Sequence, residues 1–283
     1  MGTAASDSAT RSRKDAVLDG LRLYLQYARI SIKGQMQYRG SFVMLVLGHV
    51  NATVLEFLGI WALFDRFSRL RGWTLAEVAL LYGIVHVAFA IAEGVGRGFD
   101  VFAGMVKGGD FDRVLLRPRS TALQIAGSHV QLMRIGRLLQ GLAVLLWAVF
   151  ALEIAWTPAR IALTLAAIGG GTCTFIGLFV LQATLAFWTI ESLEIVNTVT
   201  YGGVETAQFP LSIYKRWFRR FFTFIVPLAC INYFPTLSIL DRAGPMGFPQ
   251  WVSYLSPALG AAFLLVCLQV WKFGVRHYRS TGS

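Results

Sequence analysis

Apolar blocks long enough to cross a bilayer alternate with short polar connections along most of this chain. Residues 41–64 form the first, roughly 36 Å of helix at about 1.5 Å per residue against a hydrocarbon core of about 30 Å. Further blocks at 75–96, 136–154, 160–188, 221–240 and 258–273 predict six membrane-spanning helices in all. Ahead of them, residues 20–40 set Arg22, Gln26, Arg29 and Lys33 at steps of three and four, opposite Leu21, Tyr24, Leu25, Ala28 and Ile32. That is the period of an amphipathic helix lying in the headgroup layer. Residues 1–19, small, polar and basic, read as a disordered tail, and 277–283 as a second polar tail. The fold class predicted is all-α and integral to the membrane.

Local signals modify this picture. The block at 160–188 is long enough to tilt or bend. Gly169, Gly170 and Gly171 inside it read as close helix packing, because no Gly-Lys-Ser/Thr follows to make a phosphate loop. Pro227 and Pro235 each remove a helix hydrogen bond from the 221–240 block, which predicts a kink or break with the outer end folding back. Residues 241–257 then form the longest external connection.

The connection at 97–137 carries a second helical signal. Gly108 and Gly109 free the backbone, Asp110 is placed to cap a new helix, Asp112 sits in the first turn and Pro118 closes it after about two turns. A helix this short is not stable alone in water. The reading is of a docking element, supported by the membrane domain behind and met by a partner in front.

Composition bounds the function. With 55% hydrophobic residues, 14% charged residues and a mean hydropathy of +0.58, the chain is too apolar for a water-soluble domain. The formal charge of +11 does not mark a nucleic-acid surface, since the basic residues lie in the connections. Of the 26 Lys and Arg, 21 fall in segments assigned to the cytoplasm, including a basic aromatic belt at 214–220, and 5 outside. That asymmetry puts both termini inside. No apolar core of a signal peptide occurs in the first 40 residues. Cys173, Cys230 and Cys267 lie in apolar blocks without metal-ligand spacing and read as packing residues.

No nucleotide, zinc or nucleophilic motif is present, so catalytic, metal and cofactor-binding residues are all assigned as none. Polar residues inside the apolar blocks are the alternative source of chemistry. His49 and Glu56 stand seven apart in the first block, as do His86 and Glu93 in the second, so each pair shares a helix face. An intramembrane carboxylate is costly and faces a partner or a water-filled cavity. His49, Asn51, Glu56, His86 and Asn232 are therefore candidates to line a path favouring cationic or amphipathic cargo. A purely structural pairing of Glu56 stays open beside this, and Glu93, near the cytoplasmic end, reads as structural.

Three stretches carry a resemblance. They are Gly-Asp-Phe-Asp-Arg-Val-Leu-Leu-Arg-Pro at 109–118, Phe-Pro-Leu-Ser-Ile-Tyr at 209–214, and Thr-Phe-Ile-Val-Pro at 223–227 with Asn-Tyr-Phe-Pro at 232–235. Over residues 21–278 the chain resembles permease subunits of type 2 ATP-binding-cassette exporters. The branch is that of bacterial systems with two related permeases and one ATPase, some assigned to viologen or multidrug export. Phe209 stands where the family pattern carries Tyr. The resemblance implies a half-transporter in the bacterial cytoplasmic membrane, paired with itself or a sister permease and seated on two ATPase subunits that hold the ATP and Mg. Asp110, Phe111, Asp112, Arg113, Leu115, Leu116 and Arg117 would then form the ATPase-coupling helix, and residues 21–38 the connecting helix. Two rival readings are a membrane scaffold that recruits a cytosolic protein without transport, and a lipid-modifying enzyme. Glu56 and Glu93 fall at different depths, which disfavours the second.

Overall fold

A computed structural model describes residues 3–131, 134–189, 193–242 and 250–279, with side chains from residue 18 onward apart from Leu21, Leu193, Ile195 and Gln250. Among these residues the chain is helical, with one isolated bridge between Leu70 and Trp73. In order the helices are α1 (Thr3–Met36), α2 (Arg39–Phe67), α3 (Leu75–Asp100), α4 (Phe102–Lys107), α5 (Asp110–Leu115), α6 (Thr121–Ser128), α7 (Ile135–Ala151), α8 (Pro158–Leu185), α9 (Leu193–Ala207), α10 (Arg216–Arg220), α11 (Phe234–Ile239) and α12 (Gln250–His277). The tail expected to be disordered continues α1 back to Thr3. Its Ala, Arg and Lys residues carry little penalty in a helix.

Four stretches are long and apolar enough to cross a membrane: Arg39–Phe67, Leu75–Lys107, Pro158–Leu185 and Trp251–His277. A fifth is reached only if Arg216–Ile225 and Ala229–Ile239, which meet at 85°, are taken together. The block read as a third span is the 17-residue α7, about 25 Å long and short of a full hydrocarbon core. Its end is closed by Trp156, whose indole donates to the Val149 carbonyl (2.9 Å). The last helix begins at Gln250, well before residue 258, and carries Pro257 inside it. Of the external connection expected at 241–257, residues 250–257 belong to this helix, and residues 243–249 lie outside the described residues.

α3 is the axis of the bundle. Its residues are apolar on nearly every side, the signature of a helix buried all round, and it packs against α7, α8 and α9. A reciprocal cap starts it: Thr74 Oγ1 accepts from the Glu77 N–H (3.5 Å) while the Glu77 carboxylate accepts from the Thr74 N–H (2.8 Å). Arg242 reaches the same carboxylate (2.7 Å) and lies over the Trp73 ring, 4.6 Å from its centroid. α8 and α12 form the other close pair. A Cβ on Gly170 would stand 2.4 Å from the Pro257 carbonyl oxygen, and one on Gly260 2.1 Å from that of Gly170. Only glycine admits backbone contact this tight.

The residues after α8 run differently from the expectation. Tyr201 of α9 bonds Arg97 and Asp100 at the α5 end of α3, Gln208 reaches His86 halfway along it, and the Ser212 carbonyl accepts from Arg71 in the α2–α3 connection (3.4 Å). α9 and the turn after it thus climb the bundle from the α5 end to the opposite end. The chain then turns inward through α10 and a π-helical turn at Phe221–Ile225 to Leu228, which packs on Gly203. It returns through a second π-helical turn at Ala229–Tyr233 and α11. Pro227 makes the corner: it forces Val226 into extended geometry (φ −112°, ψ 103°), whereas Pro235 sits in the first turn of α11, where no N–H is needed. Lys215, Arg216, Arg219 and Arg220, read as a cytoplasmic belt, therefore lie at the end that carries Arg71 and Gly72.

Candidate docking and translocation sites

Ahead of α5, Gly109 turns the backbone into the left-handed region (φ 73°) and serves as the N-cap of this helix, with no side-chain cap. Asp110, read as the cap, is the first helical residue and pairs with Arg113 one turn on (3.4 Å). The helix stops at Leu115, three residues before Pro118. Its outward side carries Asp110, Arg113, Leu115, Leu116 and Arg117, with Leu116 85% exposed, and Asp112 is half-buried. Arg117 donates to the Tyr27 hydroxyl of α1 (3.0 Å).

Phe111 is different. The resemblance placed it in the ATPase-coupling set, yet it is wholly buried. Its ring meets Phe102 (4.9 Å between centroids), Tyr278 (5.0 Å), Phe187 (5.5 Å) and Trp271 (6.3 Å). Trp271 in turn donates to the Thr121 hydroxyl of α6 (3.1 Å). α5 is thereby tied to α4, to α12 and to the end of α8 by one aromatic cage. α1 braces the assembly from the side through Tyr24, which donates to the Val95 carbonyl (3.2 Å), and Ser31, which donates to Val130 (2.9 Å). Burial pushes the Tyr24 phenol up from its usual range, as expected of a hydroxyl committed to donating.

Just above this cage lies a buried charge cluster. Glu93 receives Arg137 (3.0 Å), Arg134 (3.2 Å) and Arg97 (3.7 Å), and Arg97 also pairs with Asp100. Tyr201 accepts from Arg97 (2.7 Å), and Gln182 donates to Asp100 (3.2 Å). Burial pushes the Arg134 guanidinium down from its usual value, with Glu93 pulling the other way. The cluster pins α3, α7, α8 and α9 together.

Halfway along α3 a second set converges. His86 Nε2 stands 3.3 Å from both Glu56 Oε1 of α2 and Gln208 Oε1 of α9, and its ring stacks on Tyr82 (3.8 Å, 16°). Tyr82 donates to the Thr53 carbonyl (3.3 Å) and accepts from Gln140 of α7 (3.0 Å). Glu205 accepts from Gln208 (2.8 Å). Asn232 donates to the Ala207 carbonyl, while its Oδ1 has no partner among the described residues and lies beside a cavity of about 10 Å³, the size of one water. Glu56 keeps a quarter of its side chain exposed, so the set reaches an open surface.

Of the five path candidates, Glu56 and His86 meet directly and Asn232 joins through the end of α9. His49 and Asn51 do not: His49 bonds the Leu45 carbonyl of its own helix (3.0 Å), and Asn51 is exposed beside the bare face formed by Val54, Leu58 and Trp61. Glu205 and Gln208 went unread because their segment was assigned to the cytoplasm. Tyr82 and Gln140 carried the same signal as His86, a polar group inside an apolar block. Among the described residues no group of His, Cys, Asp and Glu is placed to hold a metal ion.

A protein-family model described as ABC-2 family transporter protein matches residues 50–282. No curated protein and no solved structure matches the chain.

Proposed function

The chain belongs to the ABC-2 transporter family, as a multi-pass permease component and not the ATPase, and from that premise we propose that it is one half of an ATP-driven exporter. Two ATPase subunits, which carry ATP and Mg, dock beneath it on α5, and a sister permease or a second copy completes the pathway. The observation that carries this reading is the division of labour in α5: Asp110, Arg113 and Leu116 face outward while Phe111 is locked among rings of α4, α8 and α12. A partner that moves the outward side moves those helices with it. The expected order of crossings is revised accordingly. α9 with the turn after it makes the fifth crossing, and the pair bent at 85° dips in and returns on the outer side. Both termini then lie on the cytoplasmic side of a bacterial membrane.

The cargo proposed is a cationic or amphipathic small molecule, met at Glu56, His86 and Glu205. Two carboxylates within reach of one imidazole give this depth of the membrane a negative bias. The face of α2 bearing Met44, Leu47, Leu58 and Trp61 is apolar and uncovered by the rest of the chain, which suits contact with the second permease. The test is co-purification from membranes with the ATPase encoded nearest to this chain, alongside a D110A/R113E variant. Recovery of the ATPase with the wild type and its loss with the variant supports the exporter reading. Absence of any ATPase in mild detergent overturns it in favour of a membrane scaffold.

A further inference from the structure

A cavity of about 550 Å³ opens where the end of α8 meets the last turn of α12. Phe187, Trp188, Arg276, His277, Tyr278 and Arg279 line it, and among the described residues no carboxylate does. Arg97, Arg134, Arg137, Arg160 and Arg242 each stand against an acidic side chain. Among the described residues neither Arg276 nor Arg279 has such a partner, although the two lie three residues apart at one helix end. His277 donates Nδ1–H to the Phe273 carbonyl (2.9 Å), which leaves Nε2 as an acceptor for a headgroup hydroxyl. The negative end of the α12 dipole opposes an anion here, but it amounts to about half a charge and two guanidiniums exceed it.

The apolar wall sets the depth. Trp188 stacks on Phe273 (6.2 Å, 29°) and both rings are about half exposed, the placement of an aromatic at the edge of the hydrocarbon. Phe187 and Tyr278 belong to the cage around Phe111, so the cavity lies at the level of the docking helix. Guanidiniums above an aromatic rim, at the border between hydrocarbon and water, match a phosphodiester with an acyl chain below it.

We propose that this cavity binds the headgroup of an anionic phospholipid from the docking-side leaflet. Arg276 and Arg279 hold the phosphate, and Trp188 packs against the glycerol and the first methylenes. This rests on the membrane embedding of the chain and not on the identity of its cargo. The walls are shared with the seat of Phe111, so an occupied cavity steadies the docking helix.

The test uses the full-length permease in nanodiscs of phosphatidylcholine and phosphatidylglycerol in equal parts, followed by native mass spectrometry of the lipid retained. The wild type should hold phosphatidylglycerol over phosphatidylcholine about tenfold, the scale of one charge-assisted contact. R276Q/R279Q should bring the ratio near unity, while R219Q/R220Q, which removes equal charge at the opposite end, should leave it. Equal retention in the wild type and R276Q/R279Q, or equal loss in both double variants, overturns the proposal. Millimolar inorganic phosphate should not displace the lipid; if it does, the site is one for free anions and the lipid assignment fails. As a second readout, brominated phosphatidylglycerol should quench Trp188 more than brominated phosphatidylcholine, judged against W188F, and equal quenching counts against the site.

Discussion

The ring of Phe111, in a helix of six residues, meets the ring of Tyr278 edge-on at 5.0 Å between centroids, joining the middle of the chain to the end of α12. α5 is too short to hold its shape unaided, and this contact with its neighbours Phe102 and Phe187 supplies what the backbone lacks. Phe111→Ala should cost about 3–5 kcal/mol through lost burial and the cavity left behind. Leu116→Ala removes an exposed side chain and should leave thermal stability within about 0.5 kcal/mol. ATPase capture should fall in both. A stability loss shared by the two variants would show that α5 is not anchored through Phe111.

Among the described residues Glu93 is the only carboxylate shared by three guanidiniums, those of the part-buried Arg97, Arg134 and Arg137. Glu93→Gln leaves Arg134 and Arg137 without a countercharge, and removing one partner of a buried pair costs about 3–5 kcal/mol. The variant should unfold at lower temperature in detergent and express poorly. Adding Arg137→Met should recover part of the loss, since it removes an unpaired charge and keeps the side chain's bulk against Phe89. No recovery in the double variant would place the role of Arg137 elsewhere.

What was legible in the sequence followed hydrophobic period and local chemistry. The presence of α2, the start of α3 at Leu75, the short helix between Gly109 and Pro118, and the break at Pro227 all rest on such signals. α9 did not. Its residues mix Thr, Gly and Glu with apolar positions, and its buried side is itself partly polar, with Thr200 and Thr206 beside Val204 and Ala207, so no apolar stripe marks it. Reading that segment as a cytoplasmic connection carried Lys215 to Arg220 to the wrong end of the bundle, against the contact between Ser212 and Arg71. The orientation of Phe111 was equally hidden, since in a helix of six residues the buried side is set by what lies behind it.

Glu56 meets His86 from a helix that is otherwise little covered, and its side chain is partly exposed. Glu56→Gln preserves shape and removes only the charge facing His86, so the fold should hold. ATPase stimulation by cationic compounds should drop several-fold, while stimulation by neutral ones stays. An unchanged profile for both classes would assign Glu56 to structure alone.

Gly169 and Gly170 are neighbours in sequence with opposite surroundings. A Cβ on Gly169 meets nothing within 4 Å, whereas one on Gly170 would stand 2.4 Å from the Pro257 carbonyl oxygen and 2.9 Å from its Cα. Both contacts are backbone atoms of α12 and cannot swing aside. Gly169→Ala should therefore stabilise the protein by about 0.5–1 kcal/mol, the gain from removing glycine from a helix interior. Gly170→Ala must push α8 and α12 apart and should destabilise by about 1–3 kcal/mol despite the same gain in propensity. Thermal unfolding of the two single variants, measured in one detergent, separates these outcomes by sign. If both raised the melting temperature, the close approach of α8 and α12 at Pro257 would be refuted, and with it the packing role assigned to this run of glycines.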